Sequence, residues 1–288
     1  MADHFAFIVS GGRTGTRFLG ELLSEAIDDC HSEHEPDVVY GLDARSLRNL
    51  RRFGLWHAVI GKALARSGVR VLGTRYLSGR IDLAETARRL RSQRRAYHRS
   101  IDQSLLVESY YAWWMVARHL NEIFEGSRVI GIVRDPRDWI ASWQSHSPGR
   151  GGGHLSHLFP PGPLTPAVLH DREWIDAWPK LGEVGRLAWQ WRTINRTILE
   201  ARTGGGVRIF RFEDVFDPES QALVELVKAA STFEDRQFPS RDMRHMLADK
   251  RNSSARTTCE WQAWSASERQ QFNDICGPLL DKFGYAGI

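Results

Sequence analysis

At 288 residues, 42% hydrophobic and 26% charged, the chain has the make-up of an ordinary globular protein with a real core, and a composition too polar to fold is excluded. No apolar run approaches the roughly 20 residues that span a bilayer, which argues against a membrane-crossing helix. Net charge is +4, from 39 Lys and Arg against 35 Asp and Glu, a mildly basic balance with no acidic character.

Three cysteines, Cys30, Cys259 and Cys276, are odd in number and lack metal-ligand spacing, so a reducing compartment is expected. The first residues enter an apolar run without a basic leader, and a cytoplasmic protein with no membrane insertion follows as an expectation. The length suits one α/β domain over 1–288. An Arg-rich helical insertion is expected at about 41–100, and a Gly/Pro-rich loop at about 147–166.

Phe5–Ser10 reads as a short buried strand halted by Gly11-Gly12. Phe18, Leu19, Leu22, Leu23 and Ala26 then fall at helical spacing. A second strand is expected at Val38-Val39-Tyr40. Between Gly41 and Ser100 fourteen arginines face only Asp43, Asp82 and Glu85. That field suits an anionic partner as well as solvated helix faces. This region reads as helices with a strand option at Val69–Gly73.

Leu105–Val107 and Arg128–Val133 read as buried strands, separated by an aromatic, mostly helical run from Tyr110 to Phe124. Asp135 is placed to cap a helix carrying Pro136 in its first turn. Trp174–Arg202 reads as a long helix broken near Pro179 and Gly182, and Val207–Phe212 as a strand. A helix is expected to open at Asp217-Pro218. The last helix spans Ser265 to Phe283, with Ser265 and Glu268 forming a capping box. Strands alternating with helices imply a three-layer α/β/α architecture, P-loop-like, with a mainly parallel central sheet of about five strands.

Two segments carry chemistry. The first, Gly11-Gly12-Arg13-Thr14-Gly15-Thr16-Arg17-Phe18, joins a strand to a helix. Glycine-turn amides and a helix N-terminus form an anion site. The Lys-Ser/Thr pair of an ATP loop is missing. A plain structural turn is the competing reading. In the second, Arg134 ends a strand and Ser142 lies two turns into the next helix, so both can reach one phosphate monoester. Alternatively, Arg134 pairs with an acid and Ser142 packs.

Together these segments resemble the PAPS-dependent sulfotransferases, whose donor is 3′-phosphoadenosine 5′-phosphosulfate. The resemblance puts Arg13, Thr14, Gly15 and Thr16 on the family's 5′-phosphosulfate loop, with Arg17 and Phe18 following. It puts Arg134 and Ser142 on the 3′-phosphate pair. It extends to Arg211-Phe212-Glu213-Asp214, to Lys250, Asn252 and Arg256, and to Phe283-Gly284-Tyr285. Phe18 and Phe212 are implied adenine contacts. Arg13 stands where many members carry lysine, and it can neutralise charge on the leaving oxygen but cannot act as an acid.

For the proton of an acceptor hydroxyl or amine, the resemblance points to His31–Pro36, with Glu35 preferred and His34 competing. A solvated acidic turn is the bland alternative. Glu108 more often orients neighbours than faces a site. The aromatic set Tyr110, Tyr111, Trp113 and Trp114 could stack on a substrate, but a helix face buried in the core is the favoured reading. The histidines His31, His34, His146, His154 and His157 fit no ligand spacing, and no metal is expected.

The resemblance implies a sulfotransferase with PAPS as donor substrate. Its partners would be that nucleotide donor and a small-molecule, carbohydrate or lipid acceptor, with no nucleic acid. An ATP-dependent small-molecule kinase on a similar fold and a non-catalytic nucleotide-binding relative are the alternatives.

Overall fold

Alternation along β1 (His4–Ser10) sets the layers: Phe7 and Val9 enter one core, Ala6 and Ile8 the other. The structure is a computed structural model that describes residues 2–39, 44–146, 162–204, 206–250 and 260–287. From β1 the chain passes through α1 (Thr16–Ala26) to β2 (Cys30–His34). The Arg-rich stretch follows as α2 (Ala44–Leu55), α3 (Val69–Leu77) and α4 (Leu83–Arg99). Next come β3 (Leu105–Ser109), a 3₁₀ run Tyr111–His119, β4 (Arg128–Val133) and α5 (Pro136–His146). The chain closes with α6 (Glu183–Thr203), β5 (Val207–Arg211), α7 (Ala222–Ser231) and α8 (Ala266–Leu280).

The sheet is parallel throughout, in the order β2-β3-β1-β4-β5. Val129 and Val133 of β4 point into the core holding Trp189, Trp191 and Phe272, whereas Ile130 and Ile132 point into the core holding α1 and α7. Gly131 lets α6 approach: an added Cβ would lie 2.7 Å from Ile198 Cγ2. The chain leaves β1 toward one edge and β4 toward the other. The strand order therefore reverses between two strands whose ends are paired, Ser10 opposite Ile132.

Three expectations need correction. Val38 and Val39 are not a strand; β2 is the polar segment before them, and the left-handed backbone of Glu35 (φ 49°) turns the chain away from the sheet. Tyr40 lies outside the described residues. Val69–Gly73 is helical, because Val69, Leu72 and Gly73 share a buried face and Gly73 abuts Met115. Asp217-Pro218 stays a turn closed by Ser220 N–H on the Asp217 carbonyl at 3.0 Å, and α7 starts at Ala222. The Ser265–Glu268 capping box is present. Trp113 and Trp114 are fully buried core residues. Of the expected Gly/Pro-rich loop, 147–161 lies outside the described residues.

Candidate active site at the switch point of the sheet

The loop after β1 has an unusual backbone. Gly12, Arg13 and Gly15 have φ of 74°, 54° and 70°, all in the left-handed region. Arg13 adopts it without a glycine's freedom, which costs about 1 kcal/mol. The loop is held from below: Trp139 Nε1 donates to the Gly12 carbonyl at 2.9 Å, and Gly12 N–H donates to Ser10 Oγ at 3.2 Å. Gly15 has a second reason to be glycine, since a Cβ there would sit 2.7 Å from Phe216 Cε2. Thr16 then opens the eleven-residue α1, whose first amides lack helical partners.

The second segment lands beside the first. Arg134 follows β4 and donates from NH1 to the Arg13 carbonyl at 2.9 Å. Its guanidinium lies over the Phe212 ring, 4.6 Å from the centroid. Its own carbonyl accepts from Trp191 Nε1 at 2.8 Å. Burial lowers the pKa of Arg134 from its ordinary value, with Asp138, Glu213 and Asp135 acting against the shift; an arginine stays cationic regardless. Eight residues further, on α5, Ser142 Oγ accepts from Arg13 Nε at 3.0 Å. Arg13, Arg134 and Ser142, read from separate motifs, thus form one contiguous cluster.

Asp135 caps α5: its carboxylate accepts from Arg137 N–H at 2.9 Å and pairs with the Arg137 guanidinium. Its own N–H donates to Glu213 Oε1 at 2.9 Å, tying β4 to the segment after β5. Tyr285 completes the tie, its hydroxyl 2.8 Å from Glu213 Oε2.

The corner has the chemistry of an anion site. Among the described residues, the buried Thr14 Oγ1 and Arg134 Nε have no hydrogen-bond partner. Two cations and a run of backbone donors converge there. Phe212 and Phe216 (centroids 4.5 Å apart) and Phe18 (5.5 Å from Phe216) supply aromatic faces beside them. Arg17 points outward toward Glu21. Lys250 ends a short helix, with its side chain outside what is described, and Asn252 and Arg256 lie outside the described residues.

The carboxylate side is built on β2. His34 Nδ1 lies 2.8 Å from the Ser109 carbonyl; a carbonyl only accepts, so Nδ1 carries a proton. Nε2 lies 3.8 Å from Glu35 Oε2. Gly20 of α1 permits this approach, because a Cβ there would meet the His34 backbone N at 3.0 Å. Glu35 is buried in a left-handed conformation, its N–H on the Ser109 carbonyl at 3.2 Å.

Behind Glu35 lies a charge cluster. Asp37 and Arg94 are 0% and 1% exposed and 3.5 Å apart. Arg94 also meets Glu108 at 3.3 Å, while His57 and Lys62 reach Asp37 at 3.0 and 3.3 Å. Burial works to raise the Asp37 pKa, but Arg94, Lys62 and His57 outweigh it and hold it well below the carboxylate range. Glu108 therefore orients Arg94 and His98 (3.1 Å). It belongs to the scaffold.

Sequence reasoning missed two participants, Phe216 and Trp191. Phe216 is found by its i+4 spacing from Phe212 in the turn Phe212–Val215 and Phe216. Trp191 comes from α6, remote in sequence. Tyr111 packs partly buried against the core beside Gly12, and burial raises its pKa, with Arg70 opposing the shift and Glu35 and Asp37 adding to it.

No protein-family model and no curated protein matches the chain. Among solved structures it is similar to the sulfotransferase domain from the Synechococcus PCC 7002 olefin synthase, at 17% identity and a TM-score of 0.46 over 99% of this chain and 96% of that one. It is also similar to the sulfotransferase domain from the curacin biosynthetic pathway, at 15% identity and a TM-score of 0.45 over 98% of both chains.

Proposed function

We propose that the protein transfers a sulfuryl group from PAPS to a hydroxyl or amine of a small-molecule, carbohydrate or lipid acceptor. The observation that carries this reading is the meeting of Arg13, Arg134 and Ser142: two motifs 121 residues apart converge on one anion-binding corner. In this reading the amides of residues 13–16 and the Thr14 hydroxyl hold the 5′ phosphosulfate. Arg134 and Ser142 hold the 3′-phosphate, and Phe212, Phe216 and Phe18 border the adenine.

The acceptor oxygen or nitrogen forms its bond to sulfur as the bond from sulfur to the bridging phosphate oxygen breaks. Negative charge grows on that bridging oxygen, and Arg13 is the cation placed to offset it. The acceptor's proton passes to Glu35. His34 Nε2 stands 3.8 Å from the Glu35 carboxylate, close enough to share that proton. Adenosine 3′,5′-bisphosphate is the second product.

The test is calorimetry with adenosine 3′,5′-bisphosphate and with AMP, followed by transfer of radiolabelled sulfate from PAPS to a panel of acceptors. Preference for the bisphosphate over AMP is expected. Equal affinity for the two, or an activity that requires magnesium and ATP, overturns the proposal.

A further inference from the structure

The helical segment after the kink at Gly54 (φ 78°) is inside out. His57, Ala58 and Gly61 face inward. Leu55, Trp56, Val59, Ile60, Ala63 and Leu64 face solvent, with Leu55 58%, Trp56 54% and Leu64 54% exposed. A surface helix ordinarily turns its polar face outward. With Leu47 of α2, this segment holds six of the seven exposed large hydrophobic residues among those described, so the exposure is one patch rather than scatter.

The same stretch carries charge of one sign. Residues 44–66 contain Arg45, Arg48, Arg51, Arg52, Lys62 and Arg66 and no acidic residue. Two of these cations are used internally, Arg52 on Glu33 and Lys62 on Asp37. Arg48, Arg51 and Arg66 are exposed. The inner face is anchored: His57 Nε2 lies 3.0 Å from Asp37 Oδ2, and Ser67 Oγ donates to the His57 carbonyl at 2.8 Å. The apolar face is thus presented by a fixed element.

We propose that this face docks the protein on an anionic lipid bilayer. A convex helix with Trp and aliphatic side chains outward, bordered by arginines, matches the pattern of helices that lie in the plane of a membrane interface. The aliphatic side chains enter the boundary between headgroups and acyl chains, and the arginines meet lipid phosphates. A second copy of this chain is disfavoured as occupant, since a two-fold contact sets the same arginine border against itself. The inference rests on this surface alone and is independent of the donor-site reading.

The test is co-sedimentation of the full chain with vesicles of phosphatidylcholine, and with vesicles of phosphatidylcholine mixed with phosphatidylglycerol. Binding to the anionic vesicles is expected, weakening as salt is raised. Replacing Arg48, Arg51 and Arg66 together with Ala is expected to weaken it about a hundredfold, at roughly fivefold per arginine. The pair Ile60→Ser and Leu64→Ser is expected to weaken it more than tenfold, on the order of two buried aliphatic side chains. Urea midpoints confirm that these surface variants stay folded, and donor binding reports the other site separately. Wild type that does not sediment with anionic vesicles at low salt overturns the proposal, as does equal sedimentation of the Ser pair. A wild-type dimer that the Ser pair converts to monomer assigns the face to a second copy and overturns it too.

Discussion

Arg13 Nε donates to Ser142 Oγ across 3.0 Å, joining the loop after β1 to the helix after β4. In the proposed mechanism the two residues serve opposite ends of one donor, so their contact couples the ends. Arg13→Ala is expected to lower kcat by about a hundredfold or more, the scale of a lost charge stabiliser. Affinity for adenosine 3′,5′-bisphosphate should change far less, because the charge it offsets develops in the transition state. Steady-state kinetics with parallel calorimetry separates the two effects. Unchanged turnover removes Arg13 from the chemistry.

Arg134 is braced on three sides, by the Arg13 carbonyl, the Phe212 ring and the Trp191 bond to its own carbonyl. A guanidinium held this rigidly loses little freedom on meeting a phosphate. Arg134→Ala is expected to weaken binding of adenosine 3′,5′-bisphosphate by about 2–3 kcal/mol, the scale of a charge-assisted hydrogen bond. Affinity for AMP should move much less, since AMP lacks the 3′-phosphate. Calorimetry showing equal losses for both ligands would refute that assignment.

Gly15 faces two constraints, a φ of 70° and the Phe216 ring. Gly15→Ala is expected to destabilise the loop by both routes, and thermal melts should fall by more than a left-handed alanine alone requires, about 1–2 kcal/mol. Adding Phe216→Ala relieves only the overlap. The double variant should therefore recover part of the loss. A double variant no better than Gly15→Ala would show that the ring is not what excludes a side chain there.

The strands of the parallel core were readable because β1 and β4 are short apolar runs ended by glycine or by Arg-Asp-Pro. The donor-side residues were readable because Arg13 and the pair Arg134 and Ser142 sit at fixed distances from those strand ends. β2 was misplaced for a physical reason. It is an edge strand, Cys30–His34, whose His31 and Glu33 are met by Tyr97 and Arg52 rather than by a greasy layer. The more apolar Val38-Val39 drew the assignment instead. The outward apolar face at 55–64 was hidden too, because periodicity reveals that a helix has two faces but not which one meets the core.

Glu35 and His34 differ in what they hold. His34 is fixed to the Ser109 carbonyl through Nδ1, whereas the Glu35 carboxylate meets Nε2 at 3.8 Å. Glu35→Gln is expected to lower kcat by about 10²–10⁴-fold, the range of a general base. Nucleotide affinity should stay within twofold of wild type, about 0.4 kcal/mol. His34→Ala should cost less and shift the pH profile of kcat, since it removes the group that shares the proton. Full turnover in both variants would take the pair out of the reaction.

The Asp37 cluster predicts how stability depends on pH. His57 is pushed below its ordinary 6.5 chiefly by burial, with Arg94 and Lys62 adding to that and Asp37 opposing it. The folded state then binds fewer protons than the unfolded chain as pH falls below 6.5, and stability drops with it. Asp37 acts in the same direction lower down. Its folded pKa lies well below 3.8, so the stability it contributes is complete above that value and lost as pH falls through the depressed one. His57→Gln should flatten the slope of urea-unfolding free energy between about pH 7.5 and 5.5, removing up to roughly 1.4 kcal/mol per pH unit. An unaltered slope would show that His57 takes up its proton equally in the folded and unfolded protein. Asp37→Asn leaves the buried Arg94 with Glu108 as its one acidic partner among the described residues, and about 3–5 kcal/mol should be lost at every pH above 6.5.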